Sequence, residues 1–346
     1  MPQPHYMDVI YNIIFAGYLL ASFFYLGLLV KQSLSWAKLG KSILISTVIL
    51  QLIFIFLRMV ADRNYVGFWY APLANLFEEA TCLTCALSIY YLITESFTGF
   101  RTLGTIIVPL NTLLVTWCAL GGPGNSAMSY NLEQPPPALR SYWIDIHVPT
   151  HLIAYSALVV AFGLGIMYLA KHAQEEKWKQ LHRGEDLPVT DHPEEPLSSK
   201  GGVAVIERTK KPAASSMQRS APQTGFFSWV PPSDRIDKMI YRAVVIGFGF
   251  LTALIMLGAT WAEVSWGTYW GWDPKETSAL ITWLVYAVYI HGRFMLGWGT
   301  KQRSLLAWLC IIGFVSLMFT YLGVSFLLPG LHSYLRSLAV LGLKSI

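Results

Sequence analysis

Charged residues are scarce in this sequence. They account for 13% of its 346 residues and hydrophobic residues for 54%, with a mean hydropathy of +0.46. A soluble domain carries about a quarter charged residues, so the composition excludes an ordinary soluble protein and predicts an integral membrane protein. The net charge of +5 is not gathered into a basic patch interleaved with aromatic residues, which leaves nucleic-acid binding without support.

Cysteine is also rare, with four residues in the chain. Cys82 and Cys85 form a C-x-x-C pair, a spacing that suggests a redox pair or a metal site in other settings. Both lie inside an apolar segment that lacks the strand and turn of a thioredoxin-like site. We therefore interpret them as two small residues on one helix face.

Apolar runs divide the chain into eight predicted membrane-spanning segments. They cover approximately residues 8–30, 42–60, 74–93, 103–120, 148–170, 239–260, 277–294 and 304–328. Runs of about 20 residues suffice to cross a hydrocarbon core of about 30 Å. No basic residue precedes the first run, as one would in a signal peptide, so we expect the first helix to remain in the mature protein. The predicted fold is an all-α, polytopic membrane bundle of about eight helices.

The distribution of lysine and arginine predicts the orientation of this bundle. Eight crossings place both termini on one side, and 19 of the 25 basic residues fall in the loops of the opposite side. Cytoplasmic loops carry the excess of basic residues. The basic loops are therefore predicted to face the cytoplasm or stroma. Both termini, the 121–147 loop and the tryptophan-rich loop at 261–277 are predicted to face the other compartment.

The chain is predicted to consist of three parts. Residues 1–170 hold helices one to five, and residues 239–346 hold helices six to eight with the loop at 261–277. Residues 171–238 are rich in Lys, Glu, Pro and Ser and cannot bury enough apolar surface to order themselves. We predict a disordered cytoplasmic linker there. Its three histidines are expected at the surface: His172, His182 and His192.

Four of the thirteen tryptophans lie within twelve residues, between Trp261 and Trp272. One interpretation of this segment is structural. Indoles favour membrane interfaces. In addition, Asp273, Pro274 and Glu276 form a helix start with an N-cap residue, a first-turn proline and a capping-box partner.

The same segment can also serve as a platform for a flat ligand. Gly267 and Gly271 let the backbone lie close to such a ligand. Trp266, Trp270 and Trp272 offer planar indole faces for stacking, which suits the large π-surface of a porphyrin. The residues alone leave the structural and the binding interpretations open.

The segment from Trp266 to Thr277, W-G-T-Y-W-G-W-D-P-K-E-T, resembles the WWD signature of the haem-handling proteins of cytochrome c maturation. That family comprises CcsA (also called ResC), CcmC and CcmF. The similarity continues through three further stretches, 279–286, 319–324 and 330–334. Asn75-Leu-Phe-Glu78 resembles another element of CcsA. These stretches are most similar to CcsA of cyanobacteria and plastids.

Two histidines are predicted on the same side of the membrane as this loop. His147 lies at the start of the fifth predicted helix, and His332 lies just past the end of the eighth. Two neutral imidazoles can ligate one haem iron from both faces while indoles hold the ring. In the CcsA resemblance these positions carry the two external haem ligands. The loop residues implied in binding the cofactor are Trp266, Trp270, Trp272 and Asp273.

A third histidine, His291, is predicted at the far end of the seventh helix. It follows Thr277 by 14 residues, which places it about 21 Å deeper at about 1.5 Å per residue. An interface anchor beside Arg293 and a ligand for a second haem both fit this position. The resemblance implies the second role, with the other axial ligand supplied by CcsB.

Two further residues, His151 and Arg58, each have two possible roles, and one, His5, has none. His151, one helical turn below His147, fits a hydrogen-bonded core histidine better than a second ligand, and His5 is left without a role. Arg58 either pairs with Glu78 or meets a haem propionate. Pairing is the preferred interpretation, because ionisable groups within a membrane pair or line a cavity.

The resemblance implies haem delivery for covalent attachment to apocytochromes c at the periplasmic or lumenal face. Haem b would be handled as a substrate, with a CcsB-like membrane partner and the C-x-x-C-H motif of the apocytochrome as the acceptor. The chain offers no nucleophile or acid–base pair for this chemistry. Its status as an enzyme therefore depends on a larger System II cytochrome c synthase complex. The expected location is a bacterial plasma or thylakoid membrane.

Three other functions fit the same residues. The first is a haem exporter that moves haem without ligating it. The second is an electron-transfer subunit with permanent b-type haems, which would require histidine pairs at equal depth on facing helices. The third is a membrane scaffold whose tryptophans only anchor it. Only one convincing histidine pair is evident, at one membrane surface, which favours haem presentation.

Overall fold

Helices make up the fold of this chain. The structure, a computed structural model, describes residues 3–67, 72–73, 75–119, 131–132, 142–181 and 225–329. The helices are α1 (His5–Gly27), α2 (Leu34–Val66), α3 (Leu76–Thr98), α4 (Gly104–Ala119), α5 (Trp143–Leu181), α6 (Ser233–Trp266), α7 (Pro274–Phe294), α8 (Trp298–Lys301), α9 (Arg303–Met318) and α10 (Val324–Leu327). A π-helical turn, Phe319–Gly323, joins α9 to α10. No strand occurs in the described ranges, and the predicted all-α polytopic bundle is confirmed.

Seven helical segments of the described chain are long and apolar enough to cross a membrane. They are α1 to α6 and the run from α9 to α10. The remaining predicted segment, the seventh at 277–294, forms α7, which is less apolar because charged or polar side chains occupy both of its ends. With 21 residues it is about 30 Å long at about 1.5 Å per residue, which matches the thickness of a hydrocarbon core.

Side-chain contacts show that α7 lies antiparallel to α6. The indole N–H of Trp283 donates to the hydroxyl of Thr252 at 2.9 Å, near the middle of both helices. Arg293, in the last turn of α7, donates to both carboxylate oxygens of Asp237, near the start of α6, at 2.9 and 2.8 Å. The two helices therefore share most of their depth.

The chain alternates between two ends of the bundle. At one end α1, α3, α5 and α7 finish, and α2, α4, α6 and α9 begin. We call this the basic end, because most of the lysine and arginine residues fall there. The opposite end holds the loop between α6 and α7, and we call it the loop end.

Helix α5 is central to the packing, since it contacts α3, α4, α6 and α9. Its contact with α9 is close because Gly165 has no side chain. A Cβ there would lie 3.1 Å from the carbonyl oxygen of Ala307. Small residues allow helix backbones to approach in this way inside membranes.

The linker predicted over 171–238 is shorter at both ends, because α5 and α6 extend into it. The carboxylate of Glu175 in α5 accepts hydrogen bonds from the backbone N–H of Ser233 at 3.2 Å and from its hydroxyl at 2.5 Å. A side chain of α5 therefore caps the start of α6, a contact that the composition of the segment does not reveal. The remaining residues, 182–224, lie outside the described ranges, as does most of the 121–147 loop.

Buried polar side chains join α1, α2, α3 and α4. Six of them form a stripe along the whole of α3: Glu78, Thr81, Thr84, Ser88, Tyr91 and Glu95. The Tyr18 hydroxyl of α1 donates to Gln51 of α2 at 2.6 Å, and Gln51 donates to the hydroxyl of Thr84 at 2.8 Å. Asn111 of α4 donates to the hydroxyl of Ser88 at 2.7 Å. Such interhelical hydrogen bonds stabilise packing where lipid replaces water.

Arg58 forms the predicted pair with Glu78. Its side chain is 1% exposed, and Nη2 lies 2.8 Å from Glu78 Oε1. Nε lies 3.4 Å from Asp62 Oδ2, one helical turn along α2. Nη1 donates to Gln3 at 2.9 Å, and Nη2 donates to the backbone carbonyl of Asn131 at 2.8 Å. The guanidinium is therefore enclosed by acceptors at the loop end.

The four cysteines lie within helices of the bundle. All four are free and buried. The Sγ of Cys82 lies 3.7 Å from the carbonyl oxygen of Pro72. Cys82 and Cys85 both lie within α3, as predicted; their interpretation as small helix residues rather than a redox pair stays a prediction.

Candidate functional site

The loop that joins α6 to α7 is shorter than the predicted 261–277, because α6 continues to Trp266 and α7 begins at Pro274. Its path is fixed by the first turn of α7. Asp273 is the N-cap residue, and its carboxylate accepts a hydrogen bond from the Lys275 N–H at 2.9 Å. The Glu276 carboxylate accepts one from the Asp273 N–H at 3.2 Å. The predicted capping box, with Pro274 in the first turn, is confirmed. Asp273 is 6% exposed; its role in holding the cofactor stays a prediction.

Glu276 also binds a backbone group further back in the loop. Its Oε2 accepts hydrogen bonds from the N–H of Gly271 at 2.9 Å and from the N–H of Asp273. One carboxylate therefore fixes the backbone on both sides of Trp272. The sequence predicted only a helix-capping role for Glu276, because a contact five residues back depends on the folded path of the loop.

Trp272 has a backbone conformation that large side chains rarely adopt. Its φ is +56°, and no other non-glycine residue in the described ranges has a positive φ. The left-handed region costs an L-residue about 1–2 kcal/mol, and such strain persists only where the surroundings enforce it. The indole is 70% exposed and packs edge-on against Trp270, with ring centroids 5.8 Å apart. The loop thus displays a large aromatic side chain at a cost in backbone energy.

Replacing Trp272 with glycine should give a more stable protein than replacing it with alanine. Glycine adopts a positive φ without steric cost, so we expect the free energy of unfolding to rise by about 1 kcal/mol relative to Trp272→Ala. The alanine variant is the matched control, because it also lacks the indole but keeps the strain. Thermal unfolding in detergent measures the difference, and equal melting temperatures for the two variants would contradict the strain.

His147 lies near the start of α5, directly against α6. Its ring centroid is 5.4 Å from that of Trp261. A Cβ on Gly258 would lie 2.9 Å from Cε1 of His147, so the glycine allows the imidazole to approach the α6 backbone. Trp261 precedes the end of α6, Trp266, by five residues. The structure therefore brings His147 to the loop end, within about two helical turns of the tryptophan-rich loop.

His151 is buried one turn further along α5. It is 6% exposed, and its Nδ1 lies 3.4 Å from Oε1 of Glu79. Its ring packs edge-on against Tyr155 at 3.9 Å and stacks on Tyr321 at 5.7 Å between centroids. Tyr321 belongs to the π-helical turn after α9, a type of turn frequent at functional sites. These contacts place His151 in the core, but its Nδ1 forms no hydrogen bond with a described residue, so the predicted hydrogen bond is not observed there. The sequence did not indicate its position beside Glu79.

The other two predicted iron ligands do not join this site in the described chain. His291 lies in the last turn of α7 at the basic end, and its side chain is exposed. Fourteen residues of continuous helix separate it from Thr277, which corresponds to about 21 Å. His332 lies outside the described residues.

The aromatic groups of the loop suit a flat ligand. Trp266 is 39% exposed and Tyr269 is 61% exposed. A Cβ on Gly267 would meet no atom within 4 Å, so the space beside the backbone is open there. Exposed aromatic faces stack on planar π-systems. The residues present therefore fit a porphyrin, with the imidazole of His147 at the same end of the bundle.

Comparison with known proteins gives a consistent result. A family model described as cytochrome c assembly protein matches residues 73–332. The chain is 38% identical over 280 residues to the cytochrome c biogenesis protein CcsA of Synechococcus sp. (strain JA-3-3Ab), covering 78% of this chain and 79% of the relative. It is 31% identical over 329 residues to the CcsA protein of Porphyra purpurea, covering 93% of this chain and 95% of the relative.

A solved structure shares the fold. The cytochrome c haem lyase CcmF superposes with a TM-score of 0.57 at 13% sequence identity, covering 97% of this chain and 48% of that protein. The chain thus spans about half the length of CcmF, and at this identity the likeness concerns the fold alone. The family match includes α3 to α9, the tryptophan-rich loop and His147. With that match and with CcsA relatives aligned over most of its length, the chain belongs to the CcsA group of the cytochrome c assembly protein family.

Proposed function

We propose that this protein binds haem at its loop end and presents it for covalent attachment to apocytochromes c. Trp266, Trp270 and Trp272 stack on the haem plane. His147 and His332 ligate the iron from opposite faces, as pairs of histidines do in many haem proteins. Haem b is the substrate, which is held transiently and handed to the acceptor.

The display of Trp272 is the observation that carries this proposal. Its positive φ, its 70% exposure and the two hydrogen bonds of Glu276 around it describe a rigid, outward-facing indole. A tryptophan that only anchors a helix at the membrane interface needs no strained backbone. Backbone strain is concentrated at ligand-binding positions. The loop therefore supports ligand binding over simple anchoring.

The position of His147 adds to this argument. The contacts with Gly258 and Trp261 restrict the orientations that its imidazole can adopt. A ligand group that is already oriented loses less entropy when it binds. An axial ligand needs a fixed orientation and a position near the haem plane. The restrained imidazole, within two turns of the exposed indoles, meets both requirements.

The residues of this chain orient and shield the substrate. Bound haem supplies the vinyl groups to which the thiols of an acceptor C-x-x-C-H motif add, each thiol giving its sulfur to one vinyl carbon and its hydrogen to the other. Two histidines on the iron exclude other axial ligands. The indoles of the loop cover one surface of the ring and keep water from it.

His291 is the proposed ligand of a second haem, bound within the membrane at the basic end. Its side chain is exposed on the surface of the described chain, where another protein can approach it. We infer that the second axial ligand comes from a CcsB-type membrane partner. The two proteins together would form a System II cytochrome c synthase, in which haem moves from the basic end to the loop end.

The orientation follows from the basic residues. Most lysine and arginine residues fall at the basic end, which therefore faces the cytoplasm or stroma. The loop end then faces the periplasm or thylakoid lumen, in a plasma or thylakoid membrane, with both termini on that side. Residues 182–224 remain the proposed disordered linker on the opposite side, because their composition is polar and proline-rich.

Co-expression with a CcsB partner and an apocytochrome reporter, in a host deficient in cytochrome c maturation, tests the proposal. We expect Trp272→Ala to lower covalent haem on the reporter by about fivefold or more, because stacking of an aromatic face contributes about 1 kcal/mol. Trp308→Ala is the matched control, since Trp308 is a 53% exposed tryptophan of α9. Its removal should leave the yield unchanged.

The same experiment separates the other functions. Equal losses for the two tryptophan variants would support the scaffold. A purified chain that contains no haem, although the reporter matures, would support transport without ligation. Haem that stays with the purified chain when acceptor is supplied in excess would support a permanent electron-transfer cofactor.

A further inference from the structure

A pocket of about 340 Å³ opens at the basic end of the bundle. Its walls come from three segments that are far apart in the sequence: the start of α2, the turn between α3 and α4, and the segment that leads into α6. The lining residues are Leu34, Gly99, Arg101, Ser228 and Trp229. This pocket is a full membrane depth away from the tryptophan-rich loop, so it is independent of the proposed haem site.

The segment that leads into α6 is held in place by contacts with the 3-10 turn before α4 and with α5. Val230 is 2% exposed. The hydroxyl of Thr102 donates to the backbone carbonyl of Trp229 at 3.4 Å, and the ammonium group of Lys171 donates to the backbone carbonyl of Phe227 at 3.1 Å. Ser228 and Trp229 are therefore brought opposite Arg101 by the fold.

Arg101 supplies a positive charge that the rest of the described chain does not neutralise. Its backbone forms hydrogen bonds with Gly99 and Tyr91, but its guanidinium forms neither a hydrogen bond nor an ion pair with any described residue. Two other cations at this end have acidic partners: Lys41 lies 3.4 Å from Glu95, and Arg303 pairs with Asp234. None of the described residues that line the pocket is acidic.

Two further features favour an anion in this pocket. Arg101 begins the 3-10 turn that leads into α4, so the positive end of the α4 dipole adds to its charge. Ser228 offers a hydroxyl donor at the opposite wall. A guanidinium and a hydroxyl around an open space suit a phosphate group, which arginine binds through two parallel hydrogen bonds.

The surroundings indicate that this anion belongs to a lipid. Phe97, two residues before the pocket wall at Gly99, is 87% exposed, and Leu34 is 45% exposed. In a membrane-spanning bundle such apolar side chains face acyl chains. Trp229 belongs to a residue type enriched at the level of the lipid headgroups. Basic pockets between helices at the cytoplasmic side of membrane proteins are known to take anionic headgroups.

We propose that this pocket binds the phosphate group of an anionic phospholipid, with Arg101 as its counter-charge and Ser228 as a hydrogen-bond donor. The acyl chains of that lipid lie along Leu34 and Phe97. The bound lipid fills the space between the α3–α4 turn and the segment before α6.

Native mass spectrometry of the full chain in detergent, titrated with phosphatidylglycerol or phosphatidylcholine, tests this proposal. We expect phosphatidylglycerol to bind about fivefold more tightly than phosphatidylcholine, and Arg101→Gln to remove that preference, as one surface arginine contributes about 1 kcal/mol to binding an anionic lipid. Lys38→Gln is the matched control, because Lys38 is an exposed cation of α2 at the same end and does not line the pocket. It should retain the preference.

Each other outcome would overturn part of the proposal. An unchanged preference in Arg101→Gln would refute the site, and equal binding of both lipids would refute the choice of an anion. Inorganic phosphate that displaces phosphatidylglycerol at comparable concentration would identify a free phosphate as the ligand. Size-exclusion elution of the Arg101→Gln variant checks its fold, which should be intact since the guanidinium has no partner in the described chain.

Discussion

Replacing His147 with glycine is expected to lower covalent haem on a co-expressed apocytochrome by about tenfold or more. Loss of even an outer-shell partner of a metal ligand costs 10–100-fold, and His147 is the proposed ligand itself. Free imidazole can occupy the space left beside Gly258 and ligate the iron, so it should restore part of the yield. The haem content of the purified chain, measured as its reduced pyridine complex, should change in parallel.

The control for this experiment is His172→Gly. His172 lies on the same helix at the basic end, where its ring stacks on Tyr168 with centroids 5.5 Å apart. Both substitutions place a glycine in α5 and cost about 1 kcal/mol of helix stability. A loss that is confined to His147→Gly and repaired by imidazole therefore reports ligation. Full haem attachment in a double variant that lacks His147 and His332 would rule out the ligand assignment.

Replacing Arg58 with methionine should destabilise the protein by about 3–5 kcal/mol, because removal of one partner leaves buried charges uncompensated. Glu78 and Asp62 are 3% and 0% exposed, and both lie within 3.4 Å of the guanidinium. We expect a much lower yield of folded protein and a lower melting temperature in detergent. Gln3 would lose a hydrogen-bond donor as well.

A triple variant tests the cause of this loss. Arg58→Met combined with Glu78→Gln and Asp62→Asn removes the charges of the whole cluster, so it should recover a large part of the stability. Lys38→Met, an exposed cation of the same helix, should leave the melting temperature unchanged. If the triple variant is less stable than Arg58→Met alone, hydrogen bonding rather than charge balance holds the cluster together.

Local features of the sequence predicted much of this fold. The capping box of Asp273 and Glu276 was predicted because its members are three residues apart and interact within one turn. The Arg58–Glu78 pair was predicted because two ionisable groups of opposite charge at similar depth in a membrane form an ion pair. The linker boundaries were wrong because the ends of α5 and α6 stabilise each other through Glu175 and Ser233.

The residues of the candidate site were proposed from the sequence, and their roles stay predictions; the geometry of the loop could not be predicted. The tryptophans and His147 were identified from motif and topology. The positive φ of Trp272 and the contact of Glu276 with Gly271 were not, since both depend on the path of a closed loop. The cluster of His151, Glu79 and Tyr321 was missed for a related reason, because its members come from three separate segments.

The sequence by itself determined that this protein is a multi-pass membrane bundle of the CcsA group, since apolar length, basic loops and the tryptophan motif are all local properties of the chain. Only the tertiary structure decided which side chains meet. It placed His151 beside Glu79, set His147 against Gly258 and left Arg101 facing an open pocket. The physical reason is that hydropathy specifies that a helix crosses the membrane, whereas its rotation and depth relative to its neighbours are set by packing and buried hydrogen bonds.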